Sequence, residues 1–393
     1  MNNTLNIAIT HMRHAMTGGV ERYLNYIASY LAELGHKVTI ICRSHEEKPH
    51  PTIKFVVLRP LALGSAHRVY TFAVAVEQHL KSHHYDLVYG LGRTWSQDVL
   101  RLGGGCHLTY LEKSHYETHS HLQDYLSLTF MRHKVAINIE RKALTTSLPR
   151  KVICNSNMVK RDIINRYSVP EERIAVIHNG TDVDRFDAKL NRPKAEALRK
   201  QLSLQNEERI FLFLGTGYKR KGLDLVLNAF AKYLQQNLKG KLIVAGYDSG
   251  AEEFEKMAAR LKIDDSAIFL GGRRDPEVLY AAADVYVLPT RYDPFANSTV
   301  EALASGMPVI TSENNGGSEL IKEGVNGSVV ALDGNEVNEI FEAMSYWAVE
   351  DNIKFGRLQA RKTAEEHAVE NKMEETAQLL MNVLIEKVTF CEN

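Results

Sequence analysis

The sequence predicts an α/β protein made of two doubly wound, Rossmann-like domains, and three observations carry that expectation. Short apolar strands alternate with helices that carry one buried stripe. The alternation runs once from the start and begins afresh after residue 190. A chain of 393 residues also exceeds what a single hydrophobic core comfortably serves.

The elements follow in order. Residues 5–9 read as a buried strand, and a loop with Gly18 and Gly19 comes next. Apolar residues then recur at Val20, Leu24, Ile27, Leu31 and Leu34, the steps of three and four of an amphipathic helix. Gly35 stops it, and residues 38–42 form the next strand. Further strands are expected at 55–58, 87–89 and 152–154. After Leu190-Asn191-Arg192-Pro193 the series restarts with a strand at 210–214. A helix striped by Leu223, Val226, Leu227, Phe230 and Leu234 follows, then strands at 242–245, 268–270, 285–288 and 308–310. Such alternation implies parallel sheets with helices on both faces. The expected division is a first domain over 1–190 and a second over 191–369, with a polar helical stretch over 352–387.

Composition narrows the class. Hydrophobic content of 44% and charged content of 24% suit a soluble globular protein. No apolar run approaches the eighteen or so residues of a membrane span, and the start lacks the order of a secretion signal. Cys42, Cys106, Cys154 and Cys391 are scattered without a CxxC pair, so reduced thiols in a cytoplasmic protein are expected. Neither a zinc site nor nucleic-acid binding is indicated. Residues 1–190 hold 24 of the 48 Lys and Arg but 17 of the 48 Asp and Glu. That basic excess suggests an anionic partner or surface on the first half, although chance also produces such asymmetry. Residues 110–134 carry His115, His119, His121 and His133 without metal-ligand spacing. They read as a mobile, interfacial segment able to rest on a membrane, or as a plain surface helix.

In doubly wound sheets ligands bind beyond the carboxyl ends of the strands. Three places there carry chemistry. Gly18-Gly19 opens a helix and lets backbone approach an anion, though a glycine pair is often only a turn. The segment from Gly215 through Thr216, Lys219, Arg220 and Lys221 to Gly222 puts three cations beside a helix start, where a diphosphate would turn repulsion into attraction. It is neither a dinucleotide fingerprint, because Arg220 stands where the third glycine belongs, nor a P-loop, because Leu223-Asp224 follow Gly222. The third place is a polar loop from Arg291, with Asp293, before a short helix expected to start near Ser298 and stop at Gly306. Ser298 and Glu301 have the spacing of a capping box, and Glu301 can equally accept from a ribose or sugar hydroxyl.

Asp293 and Glu301 resemble the Glu-x7-Glu pair of the family 4 retaining glycosyltransferases, with Asp in place of the first Glu. Gly18-Gly19-Val20-Glu21, residues 176–186, Lys221-Gly222-Leu223-Asp224, residues 282–289, Gly316-Gly317-Ser318-Glu319 and Gly324-Val325-Asn326-Gly327 resemble the family's other landmarks in the same order. The resemblance implies the GT-B fold: two Rossmann-like domains facing a central cleft, with a carboxyl-terminal helix, about 370–393, crossing back to the first domain. It implies a donor site in which Lys221 and Arg220 hold the diphosphate and Glu301 the ribose. Thr216, Ala296, Asn297, Ser298, Thr299 and Val300 would complete that site, with Arg273 by the base and Gly18 and Gly19 reaching the diphosphate. Asp293, Lys221 and His107 would be catalytic. No metal and no cofactor beyond a UDP-sugar donor is implied.

Within the family, Tyr292-Asp293-Pro294, Asn314-Asn315-Gly316-Gly317, Gly92-Arg93-Thr94, Gln97-Asp98-Val99 and Tyr110-Leu111-Glu112-Lys113 are similar to lipopolysaccharide core glycosyltransferases of the glucosyltransferase I group. That similarity implies transfer of a hexose to an inner-core heptose, with Arg93 and Asp98 meeting the glycolipid acceptor. The protein would then sit peripherally on the anionic cytoplasmic face of the inner membrane. A transferase of another glycan pathway, capsule or exopolysaccharide, and a nucleotide-sugar sensor that does not transfer are the rival readings.

Overall fold

The computed structural model describes residues 4–16, 18–47, 49–114 and 128–391. The chain divides into two compact units, Met1–His178 with Lys372–Asn393, and Asn179–Asn371. Residue 190, where the sequence reading puts the boundary, lies inside the helix Ala188–Gln201, and the division falls earlier, between His178 and Asn179. Leu190-Asn191-Arg192-Pro193 therefore builds helix and not linker. Asp187 caps that helix by accepting from Lys189 N–H, and buried Asn191 donates to the carbonyls of Arg185 and Asp187. Pro193 lies inside this helix, past its first turn, and forgoes the amide donor that an i→i−4 bond would use.

Unit 1 holds a seven-stranded sheet. Its strands are β1 (Asn6–Thr10), β2 (Lys37–Cys42), β3 (Lys54–Val57), β4 (Leu87–Gly90), β5 (Val99–Leu102), β6 (Lys151–Cys154) and β7 (Ile174–Val176). They are ordered β3-β2-β1-β4-β5-β6-β7, with every pairing parallel. The helix Gly19–Glu33 buries Leu24, Ile27, Ala28, Leu31 and Ala32, the expected stripe. The carboxyl-terminal residues are bonded into this unit, where Lys387 Nζ donates to the Asp98 carboxylate and to Asp86 O, each at 3.0 Å.

Unit 2 repeats the plan with six strands. They are β8 (Arg209–Leu214), β9 (Gly240–Ala245), β10 (Ala267–Gly271), β11 (Val285–Leu288), β12 (Val309–Ser312) and β13 (Gly327–Val330). Their order is β10-β9-β8-β11-β12-β13, again parallel throughout. Its core runs through Phe211, Phe213, Phe230, Tyr280, Leu288 and Trp347, all buried. The polar stretch at 352–387 is not one helix: Glu350–Glu365 and Val369–Cys391 are separate. No described helix is long and apolar enough to cross a membrane.

Strands β5, β7 and β13 were not among the expected ones, and each has a local reason. β5 is interrupted by Arg101, β7 has three residues, and β13 opens on Gly327. In both sheets the strand order reverses beside the first strand, between β1 and β4 and between β8 and β11. Such a reversal splays the flanking loops apart and leaves a crevice at the carboxyl edge, where ligands of doubly wound sheets bind.

Candidate active site

In unit 2 the crevice is framed by the loops after β8 and β11. The cationic segment does not sit at a long helix start as expected. It forms its own turn, Tyr218–Lys221, before the helix Leu223–Gln235. Gly222 joins the two at φ 81°, and a Cβ there would lie 2.3 Å from Pro289 O. Only glycine lets the β8 loop close against the β11 loop. The contact brings Lys221 to Asp293, and the two side chains form a salt bridge. Arg220 Nη1 donates to Tyr292 O at 2.9 Å and to the Asp293 carboxylate at 3.4 Å, while Arg220 Nη2 reaches Thr216 O at 3.4 Å. Burial pushes the Lys221 ammonium down, against the pull of Asp293. Burial also works to raise the Asp293 carboxyl, but Lys221 and Arg220 outweigh it and hold it below the usual carboxylate value. Lys219, the third cation of the segment, and Arg291 from the β11 loop are balanced elsewhere. Asp224 accepts from Lys219 at 3.0 Å and from both Arg291 Nη atoms at 2.9 and 2.8 Å.

The helix beyond this loop runs Asn297–Ala304, capped by Ala296 with no side-chain bond. The expected capping box of Ser298 and Glu301 does not form, because the helix begins one residue before Ser298. Glu301 is buried, and its carboxylate accepts from Tyr280 Oη at 3.0 Å. What shapes the helix start is Asn315, a residue without an assigned role in the sequence reading. Its Oδ1 accepts from Ala296 N–H and Gly317 N–H at 3.1 and 3.0 Å, and its Nδ2 donates to the hydroxyls of Thr299 and Thr311. Asn297 Oδ1 accepts from Asn179 Nδ2 at 2.7 Å, and Val300 is buried below. Arg273, expected by the base, is held on Asp275 by two hydrogen bonds of 2.9 and 2.6 Å.

In unit 1 a cavity of about 270 Å³ opens at the equivalent reversal, lined by His11, Glu21, Arg93, His107 and Glu140 among others. Gly18 precedes and Gly19 begins the helix that carries Glu21, whose carboxylate lies 3.9 Å from His11 Nε2. Arg93 lies in the loop after β4 with φ 65°, a left-handed backbone that a non-glycine residue holds at a cost of about 1–3 kcal/mol. His107 heads the helix His107–Ser114. Its backbone N–H donates to both oxygens of Glu140, at 3.2 and 3.0 Å, and its Nε2 lies 2.8 Å from His133 Nδ1. Burial, with Arg93 and His133 nearby, lowers the His107 imidazole to about 4, so it is neutral at physiological pH. Tyr167 Oη donates to Glu140 at 2.7 Å, and burial raises that carboxyl nonetheless. Neither Glu140 nor Tyr167 carried a signal in the sequence.

Asp98, expected at the acceptor with Arg93, is not among the cavity's lining residues. Its carboxylate accepts from Val88 N–H at 2.8 Å and from Lys387, tying β4 to the carboxyl-terminal helix. Of the histidines in 110–134, His115, His119 and His121 lie outside the described residues.

Two crevices at two strand-order reversals, one of them cationic, fit a glycosyltransferase of the paired-Rossmann class. Comparison with known proteins agrees. Residues 17–185 match the model described as Glycosyltransferase Family 4, and residues 194–360 match that described as Glycosyl transferases group 1. The chain belongs to the glycosyltransferases built from these two domains. The lipopolysaccharide glucosyltransferase WaaG of Escherichia coli is 25% identical over 327 residues, 82% of this chain and 85% of that protein. The uncharacterized glycosyltransferase MJ1607 of Methanocaldococcus jannaschii is 32% identical over 186 residues, so there the match spans about half of either protein, 47% of each. The crystal structure of WaaG, a glycosyltransferase involved in lipopolysaccharide biosynthesis, has the same fold. Its TM-score is 0.78 at 24% identity, covering 95% of this chain and 99% of that one. Anabaena Alr3699/HepE, solved with UDP and glucose, gives 0.70 at 20% identity, covering 96% and 99%.

Proposed function

We propose that this glycosyltransferase moves a hexose, glucose in the first instance, from a UDP-sugar to a heptose of a lipopolysaccharide inner core, with retained configuration and without a metal ion. The observation that carries the reading is the buried Lys221–Asp293 pair with Arg220 at the unit 2 reversal. A lysine kept charged in a poorly solvated crevice is suited to a diphosphate, and the first N–H groups of Asn297–Ala304 lie on the same loop. Together they stabilise the charge that develops on the leaving diphosphate, the largest electrostatic demand of such a reaction. Glu301 accepts from the ribose and Asp293 from the donor sugar.

The acceptor hydroxyl attacks the anomeric carbon on the face from which the diphosphate departs. The bond to the diphosphate oxygen breaks, and that oxygen takes the hydroxyl's proton. In unit 1, neutral His107 offers a hydrogen bond to a sugar hydroxyl without competing for a proton, and exposed Arg93 meets the anionic acceptor. The similarity to WaaG supports the acceptor class, and to reach a glycolipid acceptor the protein would lie peripherally on the cytoplasmic face of the inner membrane.

Lys221→Ala tests the reading. Loss of one preorganised donor to the developing charge lowers turnover by about 10²–10³-fold, with the circular dichroism spectrum retained. Turnover is read as product mass with truncated core acceptors and several nucleotide-sugars. Unchanged turnover in the variant sinks the donor-site assignment, and product only from a non-lipopolysaccharide acceptor sinks the pathway.

A further inference from the structure

The loop after β9 joins two neighbours. Gly215 N–H donates to Ala245 O at 3.0 Å, and Gly246 N–H donates to Gly271 O at 2.9 Å. Gly246 has φ 129°, and a Cβ on it would lie 1.9 Å from Gly215 O, so glycine alone permits the approach. Two residues further on, the Asp248 carboxylate accepts from Tyr218 N–H at 2.6 Å and from Gly250 N–H at 2.7 Å. Backbone on both sides of Tyr247 is therefore fixed, between the turn that carries Lys221 and the loop Gly271-Gly272.

Tyr247 itself is 71% exposed, and among the described residues it makes no hydrogen bond or ring contact. A rigid loop that holds a large ring in water forgoes burial of its apolar faces. The space beside it is open too. Gly271 and Gly272 are exposed, and a Cβ built on either meets nothing within 4 Å. Arg273, the other candidate for contact with a base, has its guanidinium engaged by Asp275.

We propose that Tyr247 stacks on the nucleobase of the donor, so that the loop after β9 supplies base affinity while Lys221 and Arg220 hold the diphosphate. The inference rests on the donor-site reading above. Stacking acts on any base with a π face, so Tyr247 sets how tightly the nucleoside is held and leaves the choice among bases to hydrogen bonds.

Calorimetric titration of the wild-type chain, Tyr247→Ala and Tyr247→Phe with UDP, ADP, GDP and inorganic pyrophosphate tests it. Removing the ring weakens the tightest nucleoside diphosphate by ~10-fold or more and leaves pyrophosphate unchanged. Tyr247→Phe binds within about twofold of wild type, because the ring and not the hydroxyl makes the contact. Undiminished nucleoside diphosphate binding by Tyr247→Ala overturns this inference alone, as does an equal loss of pyrophosphate. If the wild-type chain binds none of the nucleoside diphosphates, the donor-site reading falls and this inference falls with it.

Discussion

At the reversal of the second sheet, charges meet charges: Lys221 and Arg220 face Asp293, while Lys219 and Arg291 face Asp224. At the reversal of the first, the carboxylate of Glu140 is held by a backbone N–H and a phenol. The consequences run in opposite directions. Asp293 is held below the ordinary carboxylate value by its cations, whereas Glu140 is raised by burial and His107 is lowered to about 4. Both shifts in unit 1 favour the neutral form. One crevice sets its cations against carboxylates; in its counterpart burial favours the neutral forms of Glu140 and His107, beside Arg93 and Glu21 in the same lining. The topology is the same in both, so the difference lies in which side chains the two loops deliver.

The largest expected effect comes from breaking the charged pair. Asp293→Asn leaves Lys221 buried beside Arg220 with no carboxylate, and losing one partner of a buried pair costs about 3–5 kcal/mol. Partial exposure of Asp293 and the surviving Arg220 contacts favour the lower end. Because the folded Asp293 carboxyl is depressed, its stabilisation is present above the unfolded value of about 3.9 and is lost as pH falls through the lower folded value. Urea midpoints at pH 7 and at progressively acid pH measure both effects. A variant within about 0.5 kcal/mol of wild type at pH 7 would erase the contrast between the crevices.

Asn315→Ala comes next. It strips acceptors from the buried N–H groups of Ala296 and Gly317 and donors from the hydroxyls of Thr299 and Thr311. Each buried group left unpaired costs about 1–3 kcal/mol, less whatever water recovers. We expect a loss of about 2 kcal/mol, with weaker UDP binding because the start of Asn297–Ala304 loses its anchor. Unaltered UDP affinity in a destabilised variant would make Asn315 a packing residue and leave the helix start to the β11 loop alone.

Legibility in the sequence followed the same divide. The unit 2 crevice was readable because its residues are contiguous in two short segments, and cations beside a helix start are conspicuous where the macrodipole opposes them. Even there, the pairing of Lys221 with Asp293 depended on Gly222 packing against Pro289, a contact no spacing rule reports. Unit 1 resisted because its crevice is assembled from distant places. His107 depends on Glu140, Glu140 on Tyr167, and none of the three is near another in sequence. Asp98 shows the same limit: near Arg93 in the chain, its carboxylate faces Lys387 at the far end of it. The strands the sequence hid, β5, β7 and β13, are those shortest or interrupted by a polar residue or glycine. For these, sheet pairing overrides local pattern.

The smallest effect, and the sharpest on the comparison, is Glu140→Gln. An amide oxygen still accepts from His107 N–H and Tyr167 Oη, so the hydrogen bonds survive while the charge goes. Burial raises the folded carboxyl above its unfolded value of about 4.3, so its ionised form opposes folding at neutral pH. That penalty is present above the folded value and relieved as pH falls through it, the reverse of Asp293. The variant is therefore neutral or more stable by up to about 1 kcal/mol at pH 7, and the gain vanishes below pH 4. Paired urea titrations at the two pH values read this directly. A loss at pH 7 as large as that of Asp293→Asn would mean that Glu140 is also a charge partner, and that the two crevices work by one electrostatic scheme.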